Sequence, residues 1–596
     1  MSIEFLCFLN DEGGKLYLEA LNLMEVESKF DPVTSPHQSH YKARKILEML
    51  VDKIENIQKI QNNDDVARAL AVLHLKLAIN RIETDELSAG ENELKRCRSL
   101  IDNCDNNYEK NSGINQEVLN HLGLLYSRRT ELDKALEYLL ESKSIYEKFV
   151  KDFGGCPWTV DNFFQTHSFN AEQNSPEIIS KRIDIFEDNY THTLYYLAQI
   201  FGKLERNIDS ALYCKETLKR QLDRNKYEPL EWAMNAATLS QYYITIYDFT
   251  TARYCLASAE TILKEFGEKP ASLKVPVTNA DGQDAINVLE RLPKAWADLF
   301  RCWSKYSLVL LEHSRDSLME KSKDDEISNI QNSSAECNSK KEFFNLETTS
   351  AVNQITDRRV LVFDEAKQVF LQTQSWLNSA KEFYCLDDHC SDYVDIVKDN
   401  STLFKLLLFF EPDLTRQCKM HKRRADMLTE ILHLLNPQFY LDVCRQLAFE
   451  IGEVFTAILD NKLALLELTG SARMCDGHAN NKINILAKKS IEYFQLYLSY
   501  LKKNDKTFPE TFQDDDERPA LIAHFHCGRL FSKILTASPK ENLQNTKNSL
   551  DCYNFLVEYC RKNPSAAKKV KEERDACEEM VKLLPGKMDK IKSCIS

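Results

Sequence analysis

Two short clusters of thiols and imidazoles are the first places to look for chemistry. They are Cys385-Leu-Asp-Asp-His389-Cys390 and His524-Phe-His526-Cys527. Zinc takes four such ligands in a tetrahedron, usually as two close pairs separated by a longer stretch. Neither cluster has a second half at that spacing, and no C-x-x-C pair occurs in the chain. The bland reading is a helix terminus for the first cluster and helix packing for the second. The phosphate loop G-x-x-x-x-G-K-[ST], H-E-x-x-H and G-x-S-x-G are also missing. Carboxylates are abundant, but none is singled out as an acid–base pair. The residues therefore predict no enzyme, no metal and no cofactor.

Charge narrows the partners. The chain has 596 residues and a net charge of −14. Nucleic-acid binding needs a basic stripe to neutralise phosphates, and anionic lipid needs clustered Lys and Arg. Neither partner is expected. A basic protein partner fits the balance, as does solubility alone. Lys419-Met-His-Lys422-Arg423-Arg424 is a basic block on a predicted helix, placed to meet an acidic partner loop or the chain's own acidic surface. Asp514-Asp515-Asp516-Glu517 precedes Pro519 and a helix, where the helix dipole favours acids; contact with a basic partner is the other reading. The 18 cysteines are scattered, and Cys97, Cys214, Cys255 and Cys527 fall in apolar helical patterns. They read as small buried hydrophobes in a reducing compartment. The first twelve residues lack a basic leader, and the run Leu406 to Phe410 is too short to span a bilayer. A cytoplasmic protein with no membrane insertion is expected.

The elements that position these residues are helices. Only 15 Gly and 15 Pro punctuate the chain, few for a β-rich fold. Four segments fit the tetratricopeptide (TPR) pattern, in which small residues sit where two antiparallel helices touch and large ones fill the gaps. Near 71 the residues are Leu77 and Ala78, then Gly90, Leu94 and Cys97. Near 116 they are Leu122, Gly123 and Tyr126, then Ala135, Leu139 and Ser142. Near 191 they are Leu197, Ala198 and Phe201, then Ser210, Cys214 and Thr217. At 233–266 they are Leu239, Ser240 and Tyr243, then Ala252, Leu256 and Ala259. In all four, the two small residues lie the same twelve positions apart.

Two looser pairs follow. Ile451, Gly452 and Phe455 pair with Ser490, Phe494 and Tyr497 across an insertion at 464–482. Cys527, Gly528 and Phe531 pair with Ser549, Tyr553 and Leu556. A charged amphipathic segment from Ala566 to Met588 suits an array end. The predicted organisation is an N-terminal array at 1–267, a linker helix at 288–320, a mobile polar linker at 321–358 and a C-terminal array at 359–596. The linker helix carries Trp296, Phe300, Trp303, Tyr306 and Leu310 on one face. Residues 268–287 read as a loop, and 152–186 as an aromatic and polar insertion. The fold class is all-α: a TPR-like right-handed α-solenoid of antiparallel helix pairs, with two subdomains joined by a long helix.

Several strings go beyond a generic repeat. Thr217-Leu-Lys-Arg-Gln-Leu-Asp-Arg-Asn-Lys-Tyr-Glu-Pro-Leu-Glu-Trp-Ala-Met-Asn-Ala-Ala-Thr-Leu-Ser-Gln-Tyr-Tyr243 is one. Others are Lys398-Asp-Asn-Ser-Thr-Leu-Phe-Lys-Leu-Leu, Cys418-Lys-Met-His-Lys-Arg-Arg-Ala-Asp-Met-Leu, Leu435-Asn-Pro-Gln-Phe-Tyr and Glu579-Met-Val-Lys-Leu-Leu-Pro-Gly-Lys-Met. Together, and in order over most of the chain, they resemble the KIF-binding protein family, the kinesin-binding proteins of animals. The stretches at 152–186, 268–287 and 321–350 depart from it. The resemblance implies a non-enzymatic adaptor that binds the motor domains of a subset of kinesins. It implies that the microtubule-binding face of the motor is covered and its attachment blocked. It also implies a cytoskeleton-associated role in microtubule-based transport and axon development. A monomer is expected.

Repeat phase and resemblance together nominate contacts. Tyr196 and Thr238 both fall at position six of their first helices, and Gln199 and Gln241 at position nine. Gln221 closes the intervening second helix. By resemblance, Tyr196, Gln199, Gln221 and Thr238 match motor-contacting positions; Gln241 and the loop residues Asn436 and Gln438 are further candidates. The competing reading is a TPR co-chaperone gripping an acidic C-terminal peptide. That needs Lys at position five and Asn at position nine of the first repeat, where Leu75 and Ile79 stand. The next repeat has Asn120 and Leu124 there.

Overall fold

The computed structural model describes residues 3–61, 63–165, 175–268, 283–324, 343–468, 477–503 and 507–593. Every regular element among them is helical, and consecutive helices pack on one another in a repeating arrangement. No helix among the described residues is long and apolar enough to cross a membrane. The chain divides into two compact units. One holds residues 1–242 with 341–346, and the other holds 243–340 with 347–596.

The first unit begins with α1 (Ile3–Phe8), α2 (Gly14–Glu25) and α3 (Gln38–Gln61). Helix pairs α4 (Asp64–Glu83) and α5 (Leu87–Asp102), α6 (Tyr108–Arg128) and α7 (Leu132–Lys148), and α8 (Pro176–Lys203) and α9 (Asn207–Asp223) follow. The boundary between the units falls inside α10 (Pro229–Thr245). Small residues set the close approach within each pair. A methyl group on Gly90 would sit 3.3 Å from the Ala78 carbonyl oxygen, and one on Gly123 only 2.6 Å from Leu139 Cγ. The Ser210 hydroxyl donates to the Ala198 carbonyl at 2.8 Å. Gly90, Leu94, Cys97, Ala135, Leu139 and Leu197 are all buried, as the repeat phase predicts.

The turns inside these pairs share one device. Asp85, Thr130 and Glu205 follow α4, α6 and α8 with φ near 60°. The amide of Glu131 donates to the Tyr126 carbonyl at 3.0 Å, and that of Thr130 to Ser127 at 3.2 Å. Glu86 and Asp85 repeat this pattern on Arg81 and Ile82, and Arg206 and Glu205 on Phe201 and Gly202. This is the Schellman cap, which satisfies the last carbonyls of the first helix. Each cap is made here without glycine. Glu131 is then the residue from which α7 starts, its carbonyl accepting from Ala135.

The insertion expected at 152–186 divides. Residues 166–174 lie outside the described residues, and Pro176 onward is the start of α8, capped by Ser175. Trp158, Val160, Phe163 and Phe164 are buried and belong to the core of the first unit. Phe164 stacks on Tyr17 at 4.1 Å, and the Tyr17 hydroxyl donates to Asp161 at 2.8 Å. Local periodicity misses this segment because its partner lies near the start of the chain.

The second unit contains α11 (Phe249–Glu268), α12 (Gln283–Asp324), α13 (Thr349–Val352), α14 (Phe363–Phe383), α15 (Cys390–Phe410) and α16 (Leu414–Leu434). It ends with α17 (Leu441–Leu468), α18 (Gly477–Tyr500), α19 (Asp514–Lys533), α20 (Pro539–Lys562), α21 (Pro564–Lys569) and α22 (Lys571–Ser593). The helix expected at 288–320 is α12, longer at both ends, and it packs on α11, α14 and α15. Trp303 stacks on Trp376 at 5.0 Å and donates its indole N–H to Glu260 at 3.0 Å. Of the polar linker expected at 321–358, residues 325–342 lie outside the described residues. Residues 343–358 are packed: Phe344 meets Trp232 edge-on at 5.0 Å within the first unit. In the second unit, Asp357 pairs with Arg253 at 2.7 Å.

Candidate functional site

The first unit places five of the seven nominated residues on three consecutive helices. Tyr196 and Gln199 are on α8, Gln221 near the end of α9, and Thr238 and Gln241 on α10. Residues three apart on a helix share a face, so α8 and α10 each present one pair in equivalent positions. Gln199 and Thr238 are exposed, while Tyr196, Gln221 and Gln241 are half-buried. Tyr196 packs against the core cluster, and burial pushes its phenol pKa up. Thr238 donates its hydroxyl back to the Met234 carbonyl at 2.9 Å. The Gln241 amide nitrogen donates to Ser240 at 3.2 Å, and its amide oxygen is buried without a donor among the described residues.

The face beside Tyr196 continues across the earlier first helices. Burial lowers the pKa of His121 on α6 to about 4, and Lys76 on α4, Arg128 on α6 and the His192 ring on α8 push it the same way. Glu117 accepts from Asn189 at 3.1 Å, and burial raises its carboxyl pKa. This strip mixes imidazole, phenol and amide groups with the charged side chains of Lys76, Glu117 and Arg128.

The end of α9 that carries Gln221 is tied to α8 by its arginines. Arg220 and Arg224 flank it and both reach α8. The Arg220 guanidinium pairs with Glu187 and lies 4.7 Å over the Tyr190 ring. Arg224 bonds Asp184 at 2.7 Å and Asp188 at 3.3 Å. The Gln221 carbonyl accepts the Lys226 amide at 2.9 Å in a further Schellman cap, with Asn225 at positive φ. The signal in the sequence was the acidic spacing Asp184, Glu187, Asp188, which puts three carboxylates on one helical face.

Asn436 and Gln438 lie in the second unit, in the short turn between α16 and α17. Both are exposed, and the Asn436 side-chain oxygen accepts the Gln438 amide at 3.0 Å. Asn436 is thus occupied as a turn former. Phe439 beside it is 79 % exposed.

The remaining candidates resolve into structure. Arg424 of the basic block turns inward to Glu450 at 2.7 Å, with Ser401 against its Nε. Asp514 to Glu517 form the first turn of α19. Asp514 and Glu517 pair with Lys569, and Asp516 with Arg445. His524 stacks on Phe555 at 3.9 Å and His526 on Phe494 at 5.1 Å, each with its pKa depressed by burial. Cys385 donates to Asp388 at 3.3 Å. Among the described residues, no three His, Cys, Asp or Glu side chains are grouped to hold a metal. All fifteen described cysteines are free thiols. At the co-chaperone clamp positions, Leu75 is fully buried in the core, and Asn120 accepts from Thr193 at 2.8 Å inside a buried hydroxyl network.

Comparison with known proteins places this architecture. Residues 230–591 match the family described as KIF-1 binding protein C terminal. KIF-binding protein of Gallus gallus is 37% identical, the match covering 97% of each chain. That of Homo sapiens is 36% identical over 96% of this chain and 97% of its own. A solved structure titled Kinesin binding protein (KBP) superposes with a TM-score of 0.63 at 33% identity, over 96% of this chain and 98% of that one. With a family match over more than half its length and relatives at this identity end to end, the chain belongs to the non-enzymatic KIF-binding protein family.

Proposed function

We propose that the protein binds the motor domains of a subset of kinesins and blocks their attachment to microtubules. The full-length match to a solved kinesin-binding protein carries this reading. The helix pairs are read as TPR-like and stacked as a right-handed solenoid. Tyr196, Gln199, Gln221 and Thr238 contact the motor, with Gln241 beside them and Asn436 and Gln438 as a second contact. A motor's track-binding face is basic because tubulin is acidic, and a chain of net charge −14 competes for it by like electrostatics. Acting on motors and their tracks puts the protein in the cytoplasm, at the cytoskeleton.

Co-sedimentation of a kinesin motor domain with microtubules tests this. Excess protein should move the motor from pellet to supernatant. Thr238→Arg, at an exposed site, should weaken that release about tenfold, the scale of one interface contact turned repulsive. Motors that pellet equally with and without the protein, across a panel of kinesins, would overturn the reading.

A further inference from the structure

We propose that a cavity between α17, α18 and α19 of the second unit is a receptor for a single Lys or Arg residue of a partner polypeptide. The cavity has a volume of about 470 Å³. Tyr497 and Phe449 line it, edge to face at 5.3 Å. Asp442, Asp515, Asp516 and Arg445 supply its charges, three carboxylates against one guanidinium.

Two buried polar atoms in this wall lack partners among the described residues. Tyr497 is 3 % exposed, and its hydroxyl has no hydrogen-bond partner among the described residues. Arg445 is pinned, with Nη1 on Asp442 and Asp516 at 3.3 Å each and Nη2 on the Tyr500 carbonyl at 2.9 Å. Its Nε is buried with no acceptor among the described residues. Buried donors are nearly always satisfied, so two orphans in one cavity wall call for a ligand that brings an acceptor. The mouth calls for the opposite. Asp442 and Asp516 are shared with Arg445, whereas Asp515 is exposed and makes no ion pair among the described residues.

A lysyl or arginyl residue within a peptide meets all three demands. Its carbonyl accepts from Tyr497 and Arg445, its alkyl stem lies along Phe449, and its cationic head reaches Asp515 and Asp442. A polyamine lacks the acceptor. A phosphate or carboxylate would face three aspartates. A bare metal ion would leave both donors unpaired. Phe439 and Leu441, 79 % and 37 % exposed, adjoin Asp442 in sequence and offer apolar cover to the residues flanking the cation. The inference needs only residues of the second unit, and it stands or falls separately from the motor contacts nominated in the first.

Saturation-transfer difference NMR on the full chain tests it, with acetyl-arginine-N-methylamide and its lysine counterpart as probes. Acetyl-norleucine-N-methylamide lacks the charge, and agmatine lacks the carbonyl. Both probes should give signals well above both controls. Tyr497→Phe should weaken binding about fivefold, as for one lost hydrogen bond. The surface change Asp442→Asn with Asp515→Asn should weaken it at least as much, with the circular dichroism melt unchanged. Probe signals no stronger than norleucine would overturn the proposal. So would a full signal from agmatine, which would mark a plain cation site, or signals unmoved in both variants. The comparison of ligands on the unmodified chain decides the matter even if a variant misfolds.

Discussion

The Ser490 hydroxyl donates to the Gly452 carbonyl at 2.7 Å, and Ser549 makes the same bond to Gly528. In both places a glycine lets a neighbouring helix lie against bare backbone, and a serine on that helix uses the exposed carbonyl. The spare lone pair of a helical carbonyl is the acceptor, so no bond of the helix ladder is lost.

Filling that space should cost stability in an order set by distance. A Cβ at Gly528 would lie 2.6 Å from Tyr553 Cε1, whereas one at Gly452 would lie 3.0 Å from the Phe494 ring. Gly528→Ala should destabilise by about 2–3 kcal/mol and Gly452→Ala by about 1–2 kcal/mol, the range of overpacked cores. Chemical denaturation of the two variants checks the order; equal midpoints would refute it.

Thr130 offers a gain. It holds a left-handed φ of 62° with a β-branched side chain, which clashes there. Thr130→Gly should raise stability by about 1 kcal/mol, because the residue is exposed and, among the described residues, its hydroxyl bonds only the adjacent Arg129 carbonyl. A lowered thermal midpoint would show that the turn needs its side chain.

Arg424 is nearly inaccessible and faces Glu450 at 2.7 Å. Removing the carboxylate strands a buried cation. Glu450→Ala should cost about 2 kcal/mol, below the full value for a buried pair because Glu450 keeps some contact with solvent. Arg424→Met with Glu450→Ala should recover part of that loss, as a double-mutant cycle would measure.

His524 makes stability pH-dependent. Its ring stacks on Phe555, neither nitrogen has a partner among the described residues, and burial lowers its pKa to about 3. In the unfolded chain the group titrates near about 6.5. Below that pH the unfolded state gains a proton that the folded state refuses. Stability present above about pH 6.5 is therefore lost as pH falls toward the folded value. His524→Phe keeps the stack and removes the titration, so on going from about pH 7 to about pH 5 the variant should lose about 2 kcal/mol less than the parent. Denaturant midpoints at the two pH values provide the check.

These residues also show where reading the sequence works. Ala78 with Gly90, Gly123 with Ala135 and Ala198 with Ser210 are legible because the contact between paired helices is local and recurs at fixed spacing. Tyr196, Gln199, Thr238 and Gln241 inherit their placement from that phase. Phe164 is not legible: nothing near it announces that Tyr17 completes its packing. The same holds for Gln221, whose setting depends on α8 carboxylates some 35 residues earlier in the chain. The Tyr497 cavity is harder still. The tyrosine reads as repeat packing, and only three-dimensional placement reveals that its hydroxyl has no partner among the described residues.

The shared turn residues have a practical corollary. At Glu131, one residue ends a helix through its N–H and begins the next through its C=O, leaving no slack between α6 and α7. A fluorophore tag or reporter loop spliced there would unfasten both. Gly154 and Gly155, both at positive φ and with open space where a Cβ would stand, offer a better place to splice one in.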